Sequence, residues 1–440
     1  MTTEVAAERV YQENLEKAKR EIERRTGKTP AQLYDEREKR VRDAIQLKEP
    51  DRIPALPRMT YFPAHYTGIL RSTAYYDALA WKMAVVKTMV DFEPDLFSLS
   101  SGSNSGLVLE TLDPKHSKWP GGTLPPEVAH QAIEREYMKE DEYDLFLSDP
   151  TDFTLRYLLP RAFGALAPLA ELPCLTDRFT GFPAMTTVFT RHDMQQTARA
   201  LLKAGQEQGK WLHTMSTLPD EMAALGFPPH SHGGGAGGAP FDAISDYYRG
   251  MRGAMIDMFK QPEKLLAACD KILEWRIKRA VPADPHQRGN PKRIFIPLHR
   301  GADGFMSKKQ FEIFYWPGLK KALLTSIDLG FVPMPFIEGG FNNRLEYLLE
   351  LPKGKVVAHF DQTDIFRAKE ILGGHICIMG NVPSALLQVG SPQETEEYCK
   401  KLIKVCGKGG GFILTNGCEI DEAKPANVRA MVESCKKYKP

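Results

Sequence analysis

Three side chains of the kinds that bind zinc lie in the last third of the chain. Glu338 follows the apolar run FVPMPFI, His359 lies within VVAHFD, and Cys418 follows GFILTNG. Carboxylate oxygen, imidazole nitrogen and thiolate sulfur are all zinc ligands, and a catalytic zinc keeps a fourth position open. The spacing is too long for a local zinc motif. The prediction of a zinc site therefore depends on the fold bringing the three residues together.

Each of these residues also has a simpler interpretation. A glutamate at this position acts as a general acid or base, or as an ion-pair partner, about as often as it binds a metal. A cysteine beside glycine is often a small buried residue, and His359 could be a hydrogen-bonded imidazole of the core. Residue types alone leave these alternatives open.

Other polar side chains follow apolar runs in the same way. His299 ends RIFIPLH, Asp303 lies just beyond it, and Asp361 ends VVAHFD. These three are candidates for orienting a substrate or moving a proton. Asn381, after HICIMG, is a candidate substrate-binding residue.

Strand and helix patterns alternate through the last third of the chain. Strands are predicted at 293–299, 331–339, 356–361, 375–380 and 411–417, with helices near 307–329, 342–352, 364–372, 392–406 and 425–437. Continuous apolar strands separated by amphipathic helices are typical of parallel strands buried on both faces. No GxGxxG follows any strand, which disfavours an open dinucleotide-binding sheet. We therefore predict an α/β fold, a (β/α)8 barrel, whose active site lies where the strands end.

The rest of the chain supplies the remaining parts of the predicted barrel. Residues 1–49 predict an N-terminal helical extension, and 50–440 the barrel domain, with strand candidates at 51–59 and 95–102. An insertion is predicted at about 103–160, after the second of these strands. The glycine-rich segment 226–240 is a candidate mobile lid, or else a plain surface connection.

An aromatic loop follows the first strand candidate. Tyr61, Phe62 and Tyr66 could form the wall of a site for an aromatic substrate, although such loops more often serve only packing.

The composition excludes several classes of function. The chain has 58 Lys and Arg against 56 Asp and Glu and no long basic run, which argues against nucleic-acid binding. Its seven cysteines include no CxxC pair, which favours a reducing compartment. No apolar stretch approaches the ~18 residues of a membrane helix, and the charged N-terminal segment is no secretory signal. A cytoplasmic globular enzyme is expected.

Residues 284–289, DPHQRG, fit the D-x-H-x-x-G pattern of corrinoid-binding domains. In those domains the motif follows a strand, whereas here it lies between a predicted helix and the strand that begins near Arg293. We therefore interpret it as a connection rather than a corrinoid site.

Several segments resemble the uroporphyrinogen decarboxylase superfamily, and within it the branch of cobalamin-dependent methyltransferases. The resemblance lies in DRIP (51–54), FDAISDYYRGMRGAMIDMFKQPEKL (241–265), DGFMSKKQFEIFYWPGLKK (303–321), GNVP (380–383) and NGCEIDEAKPANVRAMVE (416–433). It implies the barrel fold. The arginine-containing segment with which the decarboxylases grip a tetrapyrrole is replaced here by PRMTYFPAHYTG, which argues against porphyrin decarboxylation.

The resemblance also implies a particular zinc chemistry. The thiol methyltransferases of the branch bind zinc through H-x-C and a later cysteine. Cys418 matches the later cysteine, but Glu338-Gly339-Gly340 stands at the H-x-C position, so His359 is taken as the third ligand. A carboxylate in place of a thiolate makes zinc a harder Lewis acid, suited to an ether oxygen.

The function implied by this resemblance is zinc-dependent O-demethylation. A methyl group would pass from an aromatic methyl ether to the Co(I) of a separate corrinoid protein. The alternatives are methyl transfer from a methylated corrinoid to a thiol, a metal-free decarboxylase or lyase, and a non-catalytic binder of a corrinoid protein.

Overall fold

The computed structural model describes residues 3–174, 181–284 and 292–440. The predicted N-terminal extension consists of helices Thr3–Thr26 and Pro30–Ile45. The second begins where the sequence favours it. Thr29 caps the helix in a reciprocal capping box with Gln32, and proline occupies the first helical position.

The described residues contain eight strands, and six of them form one parallel sheet. In chain order the strands are β1 Ala55–Leu56, β2 Ser117–Lys118, β3 Gln131–Ala132, β4 Lys292–Leu298, β5 Phe331–Ile337, β6 Val357–Phe360, β7 Cys377–Val382 and β8 Phe412–Asn416. The parallel sheet has the order β1-β8-β7-β6-β5-β4, while β2 and β3 form a separate antiparallel pair. Every residue of β5, β6, β7 and β8 is buried, as expected for parallel strands covered on both faces.

Two further extended segments join the edges β1 and β4 of this sheet. Residues 95–100 bond to β1 through the Asp95 N–H and the Ala55 carbonyl at 2.9 Å. Residues 227–232 bond to the first segment through the His230 N–H and the Phe97 carbonyl at 2.7 Å. They bond to β4 through the His232 N–H and the Arg293 carbonyl, also at 2.7 Å. The sheet thus closes as a ring of eight parallel segments, which confirms the predicted (β/α)8 class.

The helices around this ring mostly match the predicted ones. Pro392–Cys406 and Pro425–Lys437 coincide with their predicted ranges. The predicted helix 342–352 is only the 3₁₀ turn Leu345–Glu350. The remaining α-helices are Phe62–Thr67, Thr73–Tyr76, Ala78–Phe92, Gly106–Leu112, Tyr143–Ser148, Pro150–Phe153, Leu159–Ala162, Phe182–Met185, His192–Met215, Leu218–Ala224, Pro240–Ile244, Gly250–Lys260, Pro262–Arg279, Lys308–Gln310, Trp316–Asp328, Ile365–Leu372 and Ser384–Val389.

Shorter helical turns complete the fold. The 3₁₀ turns Gly164–Glu171 and Thr186–Thr190 lie in the long excursion between residues 100 and 227, which contains the predicted insertion. Three π-helical turns, Thr154–Leu158, Ser245–Arg249 and Phe311–Tyr315, interrupt or extend longer helices. Two of these π turns adjoin the candidate site described below.

The glycine-rich segment 226–240 packs onto the barrel. Its first part is the barrel segment 227–232, and Gly235 and Gly238 then lie against the outer face of β4. A Cβ atom on Gly238 would lie 2.8 Å from Cγ2 of Ile296, and one on Gly235 would collide with Ile294. Glycine is therefore required here because backbone packs directly on strand side chains.

The helix Pro30–Ile45 closes the N-terminal end of the barrel. Its Arg40 pairs with Asp95 at 2.6 Å, and its Arg37 donates to the Gly226 carbonyl at 2.6 Å. Its Glu38 accepts two bonds from Arg293 of β4, at 2.8 and 2.7 Å. Three consecutive segments of the ring are thus tied to one helix by buried charged groups.

Candidate functional site

Four polar residues converge where the parallel strands end. His299 follows β4, Glu338 follows β5, Asp361 follows β6, and Cys418 lies two residues beyond β8. Nε2 of His299 is 3.7 Å from Oε1 of Glu338. Gly417 allows Cys418 to approach, because a Cβ atom at position 417 would lie 2.9 Å from Oδ1 of Asp361. The sequence thus correctly placed these residues at one end of the barrel.

His299 is held as a charged imidazolium. Its Nδ1 lies 2.6 Å from Oδ2 of Asp246, and this hydrogen bond is the main reason that the pKa of His299 is raised to about 9. Burial opposes that rise, while Glu338 adds to it. The pKa of Asp246 is held below its ordinary value although burial acts against this, because His299 donates to its carboxylate. At neutral pH His299 carries a proton that Nε2 presents toward Glu338.

Glu338, Asp361 and Cys418 form an acidic surface beside this imidazole. Burial raises the pKa of all three, and Glu338 and Asp361 both add to the rise at Cys418, which reaches about 11. The Cys418 thiol is therefore protonated at neutral pH. The Glu338 side chain is 44% exposed, so solvent reaches this surface.

The predicted zinc ligand set does not fit this arrangement, because His359 is not available. His359 is fully buried in β6, its Nε2 lies 3.0 Å from the Asn416 carbonyl, and its Nδ1 lies 3.3 Å from Nη1 of Arg58. Both ring nitrogens therefore have protein partners. In residues 3–174, 181–284 and 292–440, no three His, Cys, Asp or Glu side chains form a group that could hold a metal ion. The alternative of a hydrogen-bonded core imidazole describes His359 correctly.

The aromatic loop predicted to line a substrate site serves packing instead. Phe62 is fully buried and stacks with Tyr66, and both contact Phe92 of the helix Ala78–Phe92. The Tyr66 hydroxyl donates to Asp91 at 2.8 Å. Tyr61 is also fully buried. These side chains join an adjacent helix to the barrel.

The Tyr61 hydroxyl belongs to a separate network near β8. It lies 2.8 Å from the Tyr75 hydroxyl and 3.0 Å from Nδ1 of His130. The backbone N–H of Tyr61 donates to Asp421 at 3.1 Å. The hydroxyl is thus occupied by protein groups rather than presented to a substrate.

Asn381 and Asp303 hold loops at the strand ends. Nδ2 of Asn381 donates to the carbonyls of Asp361 and Thr363 at 3.1 and 3.0 Å, which fixes the loop after β6. Oδ2 of Asp303 accepts from the Asn343 N–H at 3.1 Å, and Oδ1 lies 3.5 Å from Nε of the buried Arg344. The direct role predicted for each is replaced by a structural one.

Two aspartates of this site were missed. Asp242 and Asp246 lie one helical turn apart, and both contact the segment that follows β4. The sequence does carry a signal for them, since both lie within the FDAISDYYRG segment on which the family resemblance rests. Their i,i+4 spacing predicts one shared helix face, but it does not show which segment of the chain that face contacts.

Arg58 was also missed. It is 1% exposed and lies inside the barrel, with its guanidinium carbon 4.1 Å from the Phe295 ring centroid and 4.6 Å from that of Phe336. It pairs with Glu419, the residue after Cys418. This places a fixed positive charge beneath the acidic surface.

Comparison with known proteins supports the family resemblance. Residues 231–438 match the family model described as uroporphyrinogen decarboxylase (URO-D). The predicted resemblance is confirmed. This URO-D-like region begins within the ring segment 227–232 and includes all of β4 to β8, and it therefore contains His299, Glu338, Asp361 and Cys418.

A solved methyltransferase from Methanosarcina mazei shares the fold. The two chains superpose with a TM-score of 0.56 at 15% identity, over 91% of this chain and 98% of the other. At that identity the match shows the fold and not the reaction. No curated protein matches the chain.

Two expectations concern segments outside the site. The DPHQRG segment lies, beyond Asp284, outside the described residues. Among the helices that the structure describes, none combines the length and the apolar character needed to cross a membrane.

Proposed function

We propose that this chain is a methyltransferase that moves a methyl group from an aromatic methyl ether to the Co(I) of a separate corrinoid protein. The observation that carries the proposal is the charged His299 beside Glu338 at the strand ends of a URO-D-like barrel. The methyltransferase fold of the Methanosarcina mazei neighbour supports it.

The difficult part of ether demethylation is the departure of a phenolate. His299 supplies a proton to the ether oxygen as the carbon–oxygen bond breaks. The electron pair of Co(I) forms the new bond to the methyl carbon, so that phenol, methyl-Co(III) and neutral imidazole result. The His299 pKa of about 9 is close to that of a phenol, ~10 on the tyrosine scale, which suits general acid catalysis.

The neighbouring groups keep this proton in place. Asp246 fixes the ring through Nδ1 and leaves Nε2 to face the substrate. Glu338 adds to the rise in the His299 pKa, so His299 stays protonated until the carbon–oxygen bond of the ether breaks. The His299 side chain is 30% exposed, and solvent can therefore reprotonate it after each turnover.

Zinc stays a prediction from the sequence, and no step of the proposed reaction passes through it. Glu338 and Cys418 are still suitable donors by type, but His359 offers no nitrogen to complete the predicted set. Protonation by His299 performs the task for which the Lewis acid was invoked, namely stabilising the departing oxygen.

The decisive experiment is a methyl-transfer assay with a Co(I) corrinoid protein. Anisole-type, thioether and methylamine donors are compared side by side, and methyl-Co(III) is followed by its absorbance. The proposal expects transfer from the aromatic ethers and loss of transfer in His299→Gln. Transfer from amines alone, or full activity of His299→Gln with ethers, would show the proposal to be wrong.

A metal-free decarboxylase is the second candidate, because the matching family model is that of a decarboxylase. His299 and Glu338 would then act as acid and base in place of the buried His359. This candidate requires release of CO₂ without any corrinoid protein. Measuring CO₂ from aromatic acids in the same preparation separates the two functions.

A further inference from the structure

Two carboxylates on one helix hold both the backbone and the side chain of the segment that follows β4. Asp242 accepts the His299 N–H on Oδ2 and the Arg300 N–H on Oδ1, each at 3.0 Å. One turn later, Asp246 binds Nδ1 of His299 at 2.6 Å and Nη2 of Arg300 at 3.0 Å. Asp242 therefore fixes the backbone of His299, while Asp246 fixes its imidazole ring.

Asp242 has a third partner on another helix. The Tyr315 hydroxyl donates to Oδ2 of Asp242 at 2.7 Å. Tyr315 is fully buried and ends the π-helical turn Phe311–Tyr315. The Tyr315 ring lies against Gly301, where a Cβ atom would be 2.5 Å from the ring. The helical turn after β4 thus holds the same carboxylate oxygen that accepts the His299 N–H.

The role of these contacts follows from the burial of the Asp242 carboxylate. Asp242 is 6% exposed, and its recorded hydrogen-bond donors are two backbone N–H groups and a hydroxyl, none of them a cation. Burial raises the pKa of Asp242 to about 6. An asparagine could not replace it without loss, because its NH₂ group cannot accept either backbone N–H. A buried carboxylate whose hydrogen-bond donors are all neutral is costly to stability, and here that cost is met at the residue that holds the backbone of His299.

We propose that Asp242 is a positioning residue that fixes His299 against Glu338, with Tyr315 as its support. It touches neither the substrate nor the reacting atoms, and it acts through the backbone of His299. The inference rests on the proposed function only for its activity readout, since the position of the imidazole can be measured without catalysis.

The charged groups that face His299 define what each variant should change. They are Asp242 and Asp246 from the helical segment 240–249, Arg300 from the segment after β4, and Glu338 from β5. Asp246 makes the main contribution to the His299 pKa, and Asp242 makes the smallest of those resolved. Asp242→Asn should therefore displace the ring without removing most of its pKa rise, whereas Asp246→Asn should lower the pKa.

The test is an NMR titration of histidine ring protons, with the His299 signal assigned by its absence in His299→Gln. In Asp242→Asn we expect a shifted and broadened His299 signal and a kcat lowered by about 10²-fold with little change in KM. Tyr315→Phe, which keeps the carboxylate, should give a smaller change in the same direction. If Asp242→Asn does not fold, the His299 signal and the kcat of Tyr315→Phe alone test the positioning role.

Tyr143→Phe is the matched control. The Tyr143 hydroxyl donates to the buried Asp257 at 2.8 Å, and in the described part of the chain neither residue bonds directly to His299, Asp242 or Asp246. Its loss should leave the His299 signal and kcat unchanged. An unchanged His299 signal in both Asp242→Asn and Tyr315→Phe, or an equal change in Tyr143→Phe, would overturn the proposal. A shifted signal in a protein with no methyl-transfer activity would instead retain the positioning role and reject the proposed function.

Discussion

Nδ1 of His299 and Oδ2 of Asp246 lie 2.6 Å apart, although the two residues are 53 positions apart in the chain. The distance is short because the helical segment 240–249 packs against the end of β4. An imidazolium bound in this way donates its Nδ1 proton to the carboxylate and keeps it, so the proton that can be given up is the one on Nε2.

The activity should therefore depend on pH through His299. Its pKa is raised to about 9, so the acid form is present below that pH and is lost as the pH rises through it. Asp246→Asn should move this alkaline limit down toward the ordinary histidine value of ~6.5. The measurement is the pH profile of kcat for the wild type and the variant. Identical alkaline limits would contradict the assignment of His299 as the acid.

The zinc content of variants should show which of the predicted ligands can bind the metal. Cys418 and Glu338 lie at the exposed strand ends, whereas both nitrogens of His359 are bonded inside the barrel. If the purified protein contains zinc, Cys418→Ser should lower it and His359→Gln should not. Elemental analysis of the three proteins measures this. Zinc lost equally from both variants would restore His359 as a ligand, and wild-type protein without zinc would show the metal prediction to be wrong.

The buried ion pair between Glu38 and Arg293 should matter for stability. The two side chains are 8% and 0% exposed, so Glu38→Ala leaves a buried guanidinium without its carboxylate. The expected loss is about 3–5 kcal/mol of unfolding free energy. Glu36→Ala, which breaks the exposed pair with Lys28, is the control and should cost less than about 1 kcal/mol. Urea denaturation measures both, and equal losses would contradict the prediction.

The aromatic loop should be unimportant for substrate binding. Tyr66 stacks on Phe62 and bonds to Asp91, away from His299. Tyr66→Phe removes only the hydroxyl, so we expect KM for the methyl donor to stay within about twofold and stability to fall by about 1 kcal/mol. A tenfold rise in KM would place Tyr66 at the substrate after all.

The sequence predicted the strand ends better than the side chains around them. Glu338, Asp361 and Cys418 were placed correctly because continuous apolar strands have visible ends. His359 was predicted to bind zinc together with these strand-end residues, although it lies within β6 and is fully buried in the barrel. Alternation cannot show which side chains reach the exposed end of a strand that is buried on both faces.

Contacts between distant helices and strands were beyond the sequence. Asp242 and Asp246 share a helix face, but their spacing does not show that this face contacts the end of β4, and Arg58 extends inside the barrel from the end of β1. The segment 227–232 was taken for part of a loop because its two prolines and the glycines that flank it hide an extended conformation. Its place in the ring follows from neighbours that are more than 100 residues away on one side and about 60 on the other.

The closure of this ring has a consequence for how the protein opens. Between β1 and β4 the ring depends on short hydrogen-bonded contacts of 95–100 and 227–232, and three charged residues of the helix Pro30–Ile45 span the same gap. Amide hydrogens in this part of the ring, between β1 and β4, should exchange with solvent sooner than those of β5 to β8. The helix Pro30–Ile45 thus holds this part of the ring together. A chain that lacks the helix should lose its barrel structure first between β1 and β4.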